Sequence, residues 1–219
     1  MNFADLDGFR VLVTRPAPQA GALAETIEAA GGQTIRFPVL EIKPRESAEI
    51  EADLSGMAAP DIVVFVSRNA VEHGYRFVSR LPCRIAAIGP ATQNAVEAAG
   101  GTVNIVPEQG FDSEHLLEHP ALADVAETTV MIVRGESGRE LLAAQLQKRG
   151  ARVDTLAVYS RVCASPGDAD LRALDEIWAA SGIDCVTVMS VASFECLLEL
   201  LLPETRARLR ETPLVAPGA

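Results

Sequence analysis

Residues 156–162, Leu-Ala-Val-Tyr-Ser-Arg-Val, are the stretch around which the rest of the chain is organised. Their β-branched and aromatic side chains are typical of a strand, and they follow a clear strand–helix–strand unit. An earlier stretch, Phe-Pro-Val-Leu-Glu-Ile-Lys at residues 37–43, has the same place after a similar unit. We therefore predict that these two extended segments carry the chain out of one domain and back into it. Tyr159 would lie at the crossing and face whatever binds between the domains.

The composition favours an α/β protein of one or two domains. Of 219 residues, 48% are apolar and only 5% aromatic, as expected for parallel strands covered by helices. A formal net charge of −11 repels nucleic acid and anionic membranes, so an anionic ligand would need local hydrogen-bond donors. No apolar run reaches the ~20 residues of a membrane span, and residues 1–10 lack the apolar core of a signal peptide. We expect a cytoplasmic protein that binds neither nucleic acid nor membranes.

The polar residues predict no metal and no cofactor. The chain has four cysteines outside any metal-like or redox spacing, which we expect to be reduced structural thiols: Cys83, Cys163, Cys185 and Cys196. His115 and His119 are four residues apart without a third ligand, which favours a solvated helix over a metal site. Neither a Walker motif nor a dinucleotide-binding glycine motif is present, so nucleoside triphosphate and NAD chemistry are disfavoured.

The chain repeats itself with a long period. A shift of 119 positions places residues 11–15 on residues 130–134, and the match continues without a gap for about thirty residues. A second match shifts residues 61–72 by 123 positions onto residues 184–195, with Asp, Val, Ser and Glu in register. Solenoid repeats are only ~20–50 residues long, so this period indicates two related domains.

The order of the repeated units predicts that the two domains are interleaved. Each first strand–helix unit is followed by a crossing segment, so the copied domain is inserted into the first. We predict two pseudo-symmetric α/β domains, each an open parallel sheet of the flavodoxin or Rossmann type, joined by a two-stranded β linker. Domain 1 is assigned to residues 1–36 and 163–219, the linker to residues 37–44 and 156–162, and domain 2 to residues 45–155. Compared with domain 2, domain 1 is expected to lack about one helix and one strand at its C-terminus.

Apolar runs between helical segments locate the strands. They predict parallel strands at residues 10–14, 34–37, 61–66, 84–88, 103–106 and 129–133. Ligands of open parallel sheets bind beyond the carboxyl ends of the strands, where free backbone N–H groups suit carboxylates or phosphates. Each such turn alone favours an ordinary helix cap or a tight turn, but the joint pattern predicts an anion-binding site. The predicted binding residues are Arg15, Ser67, Gly89, Pro90, Ala91, Thr92, Arg134, Gly135, Glu136, Ser137, Ser190, Val191, Ala192 and Ser193.

Tyr159 breaks the symmetry of the repeat, because its counterpart is Leu40. A phenol can donate a proton or a hydrogen bond to a leaving oxygen while it stays neutral near pH 7. The alternative is a strand tyrosine that only packs on its edge.

Several short motifs, in this order and spacing, carry a family resemblance. They are Val-Leu-Val-Thr-Arg-Pro at 11–16, Phe-Pro-Val-Leu-Glu-Ile at 37–42, Phe-Val-Ser-Arg-Asn-Ala-Val at 65–71, Ile-Gly-Pro-Ala-Thr at 88–92, Gly-Phe-Asp-Ser-Glu at 110–114, Ile-Val-Arg-Gly-Glu at 132–136 and Val-Tyr at 158–159. Over essentially all 219 residues the chain resembles the uroporphyrinogen-III synthase family. It departs from the family pattern at 215–219, where Val-Ala-Pro-Gly-Ala stands in place of a further Gly/Thr-containing turn and helix.

The resemblance implies a fold and a reaction. The fold is two α/β domains joined by a two-stranded linker, with the substrate in the cleft between them. The reaction is a cofactor-free dehydration and cyclisation of the linear tetrapyrrole hydroxymethylbilane, with inversion of the last pyrrole ring, to give uroporphyrinogen III. By the same resemblance, Tyr159 matches the family tyrosine that assists hydroxyl loss, and the turns at residues 67, 89–92, 134–137 and 190–193 hold the substrate's carboxylates.

Two functions are therefore predicted from different classes. The leading one is a monomeric synthase, a cyclising lyase without a cofactor or a metal. The alternative is a non-catalytic two-domain binding protein or sensor for an anionic small molecule, which would use the same cleft and turns.

Overall fold

The structure, a computed structural model, describes residues 5–217 as alternating strands and helices. In chain order the elements are β1 (Arg10–Val13), α1 (Ala17–Ala29), β2 (Gln33–Arg36), β3 (Leu40–Pro44), α2 (Ser47–Ser55), β4 (Ile62–Phe65), α3 (Arg68–Val78), β5 (Arg84–Ala87), α4 (Pro90–Ala98), α5 (Ser113–Glu118), β6 (Thr129–Gly135), α6 (Leu141–Lys148), β7 (Arg152–Cys163), α7 (Asp168–Ser181), β8 (Cys185–Thr187), α8 (Val191–Leu200), α9 (Pro203–Leu209) and β9 (Leu214–Val215). A short 3-10 turn covers Pro120–Leu122. Within the described residues, none of these helices has the length and hydropathy to span a membrane.

The strands form two sheets. A four-stranded sheet has the order β2-β1-β8-β9, and a five-stranded sheet has the order β3-β7-β6-β4-β5. Contacts divide the described chain into unit 1, residues 5–41 and 162–217, and unit 2, residues 42–161. The other neighbouring strands pair in parallel, whereas β3 runs antiparallel to β7: the N–H of Arg45 donates to Val158 and the N–H of Ala164 donates to Val39. Helices follow the parallel strands, so the predicted α/β class with open parallel sheets is confirmed.

The sequence repeat is visible in the topology and in the register. The order β2-β1-β8-β9 of unit 1 corresponds to β7-β6-β4-β5 of unit 2, and β3 is added at the edge. In unit 1, Val11 lies opposite Cys185, and the positions that the repeat equates with them, Val130 and Ile62, lie opposite each other in unit 2. The repeat thus preserves strand pairing residue by residue.

Each unit has its own apolar core. Along β4, Ile62 and Val64 pack on one face of the sheet, and Val63 and Phe65 pack on the other. In unit 1, Leu12 of β1 packs on the opposite face from its neighbours in the strand. Central strands that are buried on both faces explain why the sequence shows continuous apolar runs rather than alternation.

Residues 103–106 do not form the predicted strand. They contribute one isolated parallel bridge, between Ile105 and Ala86. The backbone N–H of Ile85 instead donates to the side-chain Oδ1 of Asn104 at 2.8 Å, so a side chain occupies a position that a strand carbonyl would fill.

Two of the cysteines contradict the expectation of reduced thiols. Cys163, at the end of β7, and Cys196, in α8, form a disulfide with a Cα–Cα distance of 5.3 Å. They are 33 residues apart in sequence, and only the folding of unit 1 brings them together. Cys83 and Cys185 are free, and burial raises the pKa of both thiols.

Candidate functional site

A cavity of about 240 Å³ lies at the carboxyl ends of the strands of unit 2. Ser67 follows β4, Ile88 follows β5, Gly135 ends β6, and Tyr159 is on the adjacent strand β7; all four line the cavity. The carboxyl ends of parallel strands meet at one edge of a sheet, where the following helices begin. Three of the strand ends that the sequence analysis singled out therefore border a single space.

Tyr159 is buried but its hydroxyl is well partnered. The residue is 1% exposed, and its phenol oxygen lies 3.2 Å from Ser67 Oγ and 3.1 Å from Arg161 Nη2. A guanidinium only donates hydrogen bonds, so the phenol oxygen accepts the bond from Arg161. The phenol O–H therefore stays available to donate, either to Ser67 or into the cavity. The ring of His73 lies 6.0 Å away, centroid to centroid.

Ser67 has a second partner that fixes its position. It is the N-cap of α3, and its Oγ accepts the backbone N–H of Ala70 at 3.1 Å. This bond satisfies one of the free N–H groups of the first helical turn. The cap holds the Ser67 hydroxyl beside Tyr159.

Two glycines make room for the buried side chains of the cavity. A Cβ added at Gly135 would lie 2.8 Å from the ring carbon Cε2 of Tyr159. One added at Gly138 would lie 2.7 Å from Nη2 of Arg134. The register of β6 and β7 shifts at this point, which places Gly135 opposite Tyr159. Close packing therefore requires a glycine at residue 135, whereas at residue 138 only the guanidinium end of Arg134 would have to move.

The cavity carries positive charge although the chain as a whole is acidic. Among the described residues, its lining includes three arginines and no carboxylate: Arg134, Arg139 and Arg161. Arg134 is 6% exposed and donates from Nη1 to Glu140 Oε1 at 2.9 Å and to the backbone oxygen of Arg139 at 3.4 Å. Arg139 is exposed and forms an ion pair with Glu114 at 3.5 Å. Local cations thus offset the −11 net charge where an anionic ligand would enter.

Glu136 lies outside the lining of the cavity. Its carboxylate is 3.7 Å from Nε of Arg45, and its backbone N–H donates to the carbonyl oxygen of Tyr159 at 2.9 Å. Arg45 also bonds Asp53, and this hydrogen bond is the largest of the effects that raise the pKa of Arg45. Glu136 therefore helps to hold β6, β7 and the end of β3 together.

The predicted turn at residues 89–92 begins α4 beside the cavity. Gly89 is the N-cap, and Pro90 occupies the first helical position, where its missing N–H has no effect. Gly89 and Thr92 are buried, whereas Pro90 and Ala91 are exposed. The turn does not line the cavity itself, although the preceding Ile88 does.

The remaining predicted residues belong to unit 1. Arg15 follows β1 and is half-buried, and residues 190–193 follow β8, the neighbouring strand. Ser190 caps α8 by accepting the backbone N–H of Ser193 at 3.2 Å, and Ser193 Oγ accepts the N–H of Ser190 at 2.9 Å. Val191 is 75% exposed, and Ala192 is exposed as well. The predicted residues thus form two groups, one at the carboxyl edge of each sheet.

Sequence reasoning missed three polar residues of the lining: Ser113, Arg139 and Arg161. For Arg161 a signal was available, because it follows Tyr159 by two positions on one strand, and side chains two apart share a face. Arg139 gave no such signal, since it reaches the cavity from an irregular segment before α6.

Comparisons with known proteins agree on one family. A family model described as uroporphyrinogen-III synthase HemD matches residues 21–219. The uroporphyrinogen-III synthase of Salmonella typhimurium is 32% identical over 197 residues, which cover 87% of this chain and 78% of that protein. The enzyme of the same name from Escherichia coli is 31% identical over 199 residues, with 87% and 79% covered.

Solved structures share the fold. A crystal structure of a mutant uroporphyrinogen III synthase from Thermus thermophilus superimposes with a TM-score of 0.63 at 19% identity, over 95% of this chain and 84% of that one. The uroporphyrinogen-III synthetase of Helicobacter pylori gives a TM-score of 0.56 at 13% identity, over 95% and 92% of the two chains.

Proposed function

Because the chain belongs to the uroporphyrinogen-III synthase family, we propose that its cavity in unit 2 is where the synthase reaction starts, with Tyr159 as the catalytic residue. Family membership makes the chain an enzyme of tetrapyrrole biosynthesis, a cyclising lyase. One observation carries the assignment of the site: the phenol of Tyr159 is held between Ser67 and Arg161 in a cavity lined by arginines.

The first step is loss of the hydroxyl group of hydroxymethylbilane. The C–O bond breaks, its electron pair leaves with the oxygen, and the Tyr159 O–H supplies the proton that makes water. The pyrrole nitrogen lone pair forms the exocyclic double bond of an azafulvene. A substituted ring carbon attacks it to give a spiro intermediate, which breaks and recloses with the last ring inverted. The proton released when the pyrrole becomes aromatic again restores the phenol.

The cavity volume fits one end of the substrate better than the whole of it. About 240 Å³ is below the usual range of pockets that enclose a whole ligand, which begins at about 300 Å³. We propose that the cavity takes the terminal pyrrole ring, which bears the hydroxymethyl group. Arg134 and Ser137 then bind that ring's carboxylates, and the helix N-termini at residues 89–92 and 190–193, with Arg15, bind others.

The chemistry asks for positioning more than for strong acid–base groups. An electron-rich pyrrole expels a hydroxyl with modest help, and holding reacting groups in line can supply several kcal/mol by itself (about 7–11 in favourable cases). A single positioned proton donor typically adds about 10²–10⁴-fold in rate. The effect of Tyr159 should lie at the lower end of that range.

The test is Tyr159→Phe, which removes the hydroxyl and keeps the ring. We expect turnover to fall more than about tenfold while product binding stays nearly unchanged, because the proton donor is lost and the packing is not. The assay incubates the enzyme with hydroxymethylbilane and separates the product isomers by chromatography. Tyr75→Phe is the matched control, since Tyr75 is the other tyrosine and packs near Phe65 in the same core. An unchanged rate of uroporphyrinogen III formation in Tyr159→Phe would remove Tyr159 from the mechanism, and production of only the spontaneous type I isomer by the unmodified chain would overturn the function.

We further propose a cytoplasmic monomer that binds neither nucleic acid nor membranes. The net charge of −11 supports this proposal, because it keeps copies of the chain apart and repels polyanions. The Cys163–Cys196 disulfide opposes a cytoplasmic location, since cytosolic thiols are kept reduced. Light scattering of the purified protein tests the monomer. Alkylation of cells before lysis tests the location, because a cytoplasmic chain would carry the label on both cysteines.

A further inference from the structure

We propose that Arg161 is a positioning residue that makes Tyr159 an effective proton donor. The proposal rests on the function assigned to Tyr159 above and concerns a residue outside the family motifs quoted from the sequence. Nη2 of Arg161 lies 3.1 Å from the phenol oxygen, and the guanidinium carbon lies 5.6 Å from the ring centroid. Both the hydroxyl and the ring of Tyr159 therefore contact one cation.

The contact fixes where the phenol hydrogen can point. Because Arg161 occupies the acceptor side of the phenol oxygen, the O–H is directed away from the guanidinium. The Tyr159 O–H can turn from Ser67 Oγ to a substrate oxygen. Ser67 Oγ still accepts the backbone N–H of Ala70 when this happens, so the helix cap is kept. The hydroxyl is thus oriented before the substrate arrives, which reduces the reorganisation that proton transfer requires.

The positive charge of Arg161 lies beside the oxygen on which the reaction develops negative charge. When the C–O bond breaks and Tyr159 gives up its proton, negative charge develops on the phenol oxygen. A positive charge 3.1 Å away stabilises that oxygen, which is buried with the rest of Tyr159, while the Arg161 side chain itself is exposed. The stabilisation is greater in the transition state than in the bound substrate, so it raises turnover rather than affinity.

Arg161 differs from the other arginines of the cavity in its partners. Arg134 and Arg139 form ion pairs with Glu140 and Glu114. In the described part of the chain, Arg161 has no carboxylate within ion-pair distance. Its charge is therefore uncompensated and available to the phenol.

The strand also gives Arg161 a rigid base. Arg161 and Tyr159 lie two residues apart on β7, so their side chains leave the same face of one strand. At the positions that the repeat equates with them, β3 carries Ile42 and Leu40. Both members of the pair are therefore absent from the duplicated segment, as expected if they act together.

The experiment is a double-mutant cycle of Arg161→Met and Tyr159→Phe, with kcat and KM measured for uroporphyrinogen III formation. We expect Arg161→Met alone to lower kcat at least about tenfold with KM changed less than about threefold. In the Tyr159→Phe background the same change should lower kcat less than about twofold, because the group it assists is gone. Arg161→Lys keeps the charge and should recover part of the lost kcat. Arg152→Met, an exposed arginine near the start of the same strand, is the matched control.

The outcomes separate this inference from the function on which it rests. If Tyr159→Phe lowers turnover and Arg161→Met does not, the role of Arg161 alone is overturned. Equal losses in both backgrounds would make Arg161 independent of Tyr159, and a raised KM with unchanged kcat would make it a carboxylate-binding residue. If Tyr159→Phe itself leaves turnover unchanged, both proposals are wrong. Thermal unfolding of each variant checks that the measured protein is folded.

Discussion

Units 1 and 2 arrange four equivalent strands in the same order, and they differ where β3 carries Leu40 and β7 carries Tyr159. Leu40 is 8% exposed and belongs to the apolar core of unit 1. Tyr159 is 1% exposed and packs equally well in unit 2, yet its hydroxyl meets Ser67 and Arg161. A core position can thus become a polar site without any loss of burial.

A tyrosine in place of leucine at this position depends on the neighbouring strand β6. The repeat equates Gly135 with Pro16, and only a residue without a side chain leaves space for the ring of Tyr159. Helix capping, in contrast, is the same in both units: Ser67 and Ser190 have φ and ψ within 3° of each other. The duplicated scaffold supplies serine-capped helix ends twice, and side-chain exchanges on β6 and β7 place a buried phenol in unit 2 alone.

The largest expected effect concerns the disulfide, which has no counterpart in unit 2. The loop between Cys163 and Cys196 spans 33 residues, for which the chain-entropy model gives about 4 kcal/mol of stabilisation. We expect reduction to lower the free energy of unfolding of unit 1 by that order and to leave unit 2 unchanged. Hydrogen exchange of α8 and its counterpart α3, with and without a dithiol reductant, measures the difference.

The double variant Cys163→Ser with Cys196→Ser is the control for that measurement, because it should match the reduced protein and not respond to reductant. Cys83→Ser should retain the response. Equal changes in α3 and α8 would mean that the two units do not unfold independently.

The next effect concerns the space beside the phenol. Gly135→Ala places a Cβ 2.8 Å from the ring of Tyr159, so we expect a loss of about 1–3 kcal/mol in stability and at least about tenfold in turnover. Pro16→Ala changes the equivalent position in unit 1 and should cost less than about 1 kcal/mol with no effect on turnover. Chemical denaturation and the isomer-resolved assay measure both. Wild-type turnover in Gly135→Ala would show that this glycine does not position Tyr159.

The smallest effect compares the two helix caps. Ser67→Ala and Ser190→Ala should each lower stability by about 1 kcal/mol, because each removes an acceptor for a first-turn N–H group. Denaturant titration measures the losses, and Ser67→Thr and Ser190→Thr retain the acceptor as controls. A markedly larger loss at one cap would show that the repeated turns have diverged in structure as well as in their neighbours.

The fold could be predicted because the duplication exposes it twice. Residues 11–15 and 130–134 each read as a buried strand, and the repeat assigned segments that are far apart in sequence to one domain, where the structure pairs their strands. An apolar pattern does not show where a side chain takes the place of a backbone hydrogen-bond acceptor. Asn104 does so, and the strand predicted at residues 103–106 is therefore wrong. The helices α2, α7 and α9 lie outside the repeated motifs and were not predicted.

The site was predictable to the extent that it follows strand ends. Ser67, Arg134 and Gly135 stand directly after or at the end of apolar strands, so their convergence follows from parallel topology. The disulfide could not be predicted, because nothing in local spacing brings Cys163 of β7 to Cys196 of α8. The predicted cytoplasmic location also argued against a disulfide, because cytosolic thiols are kept reduced.

The interleaved path of the chain sets the order in which the units can form during synthesis. Arg10 and Asp184 bond each other across the centre of unit 1 but are 174 residues apart, whereas unit 2 is one continuous segment, residues 42–161. On the ribosome, unit 2 is complete while β1 still lacks its neighbour β8, and at about 5–20 residues per second that wait lasts on the order of ten seconds. For that interval β1 has its neighbour β2 on one side but no partner on the side of β8, and a chaperone that shields residues 10–13 would raise the yield of folded enzyme.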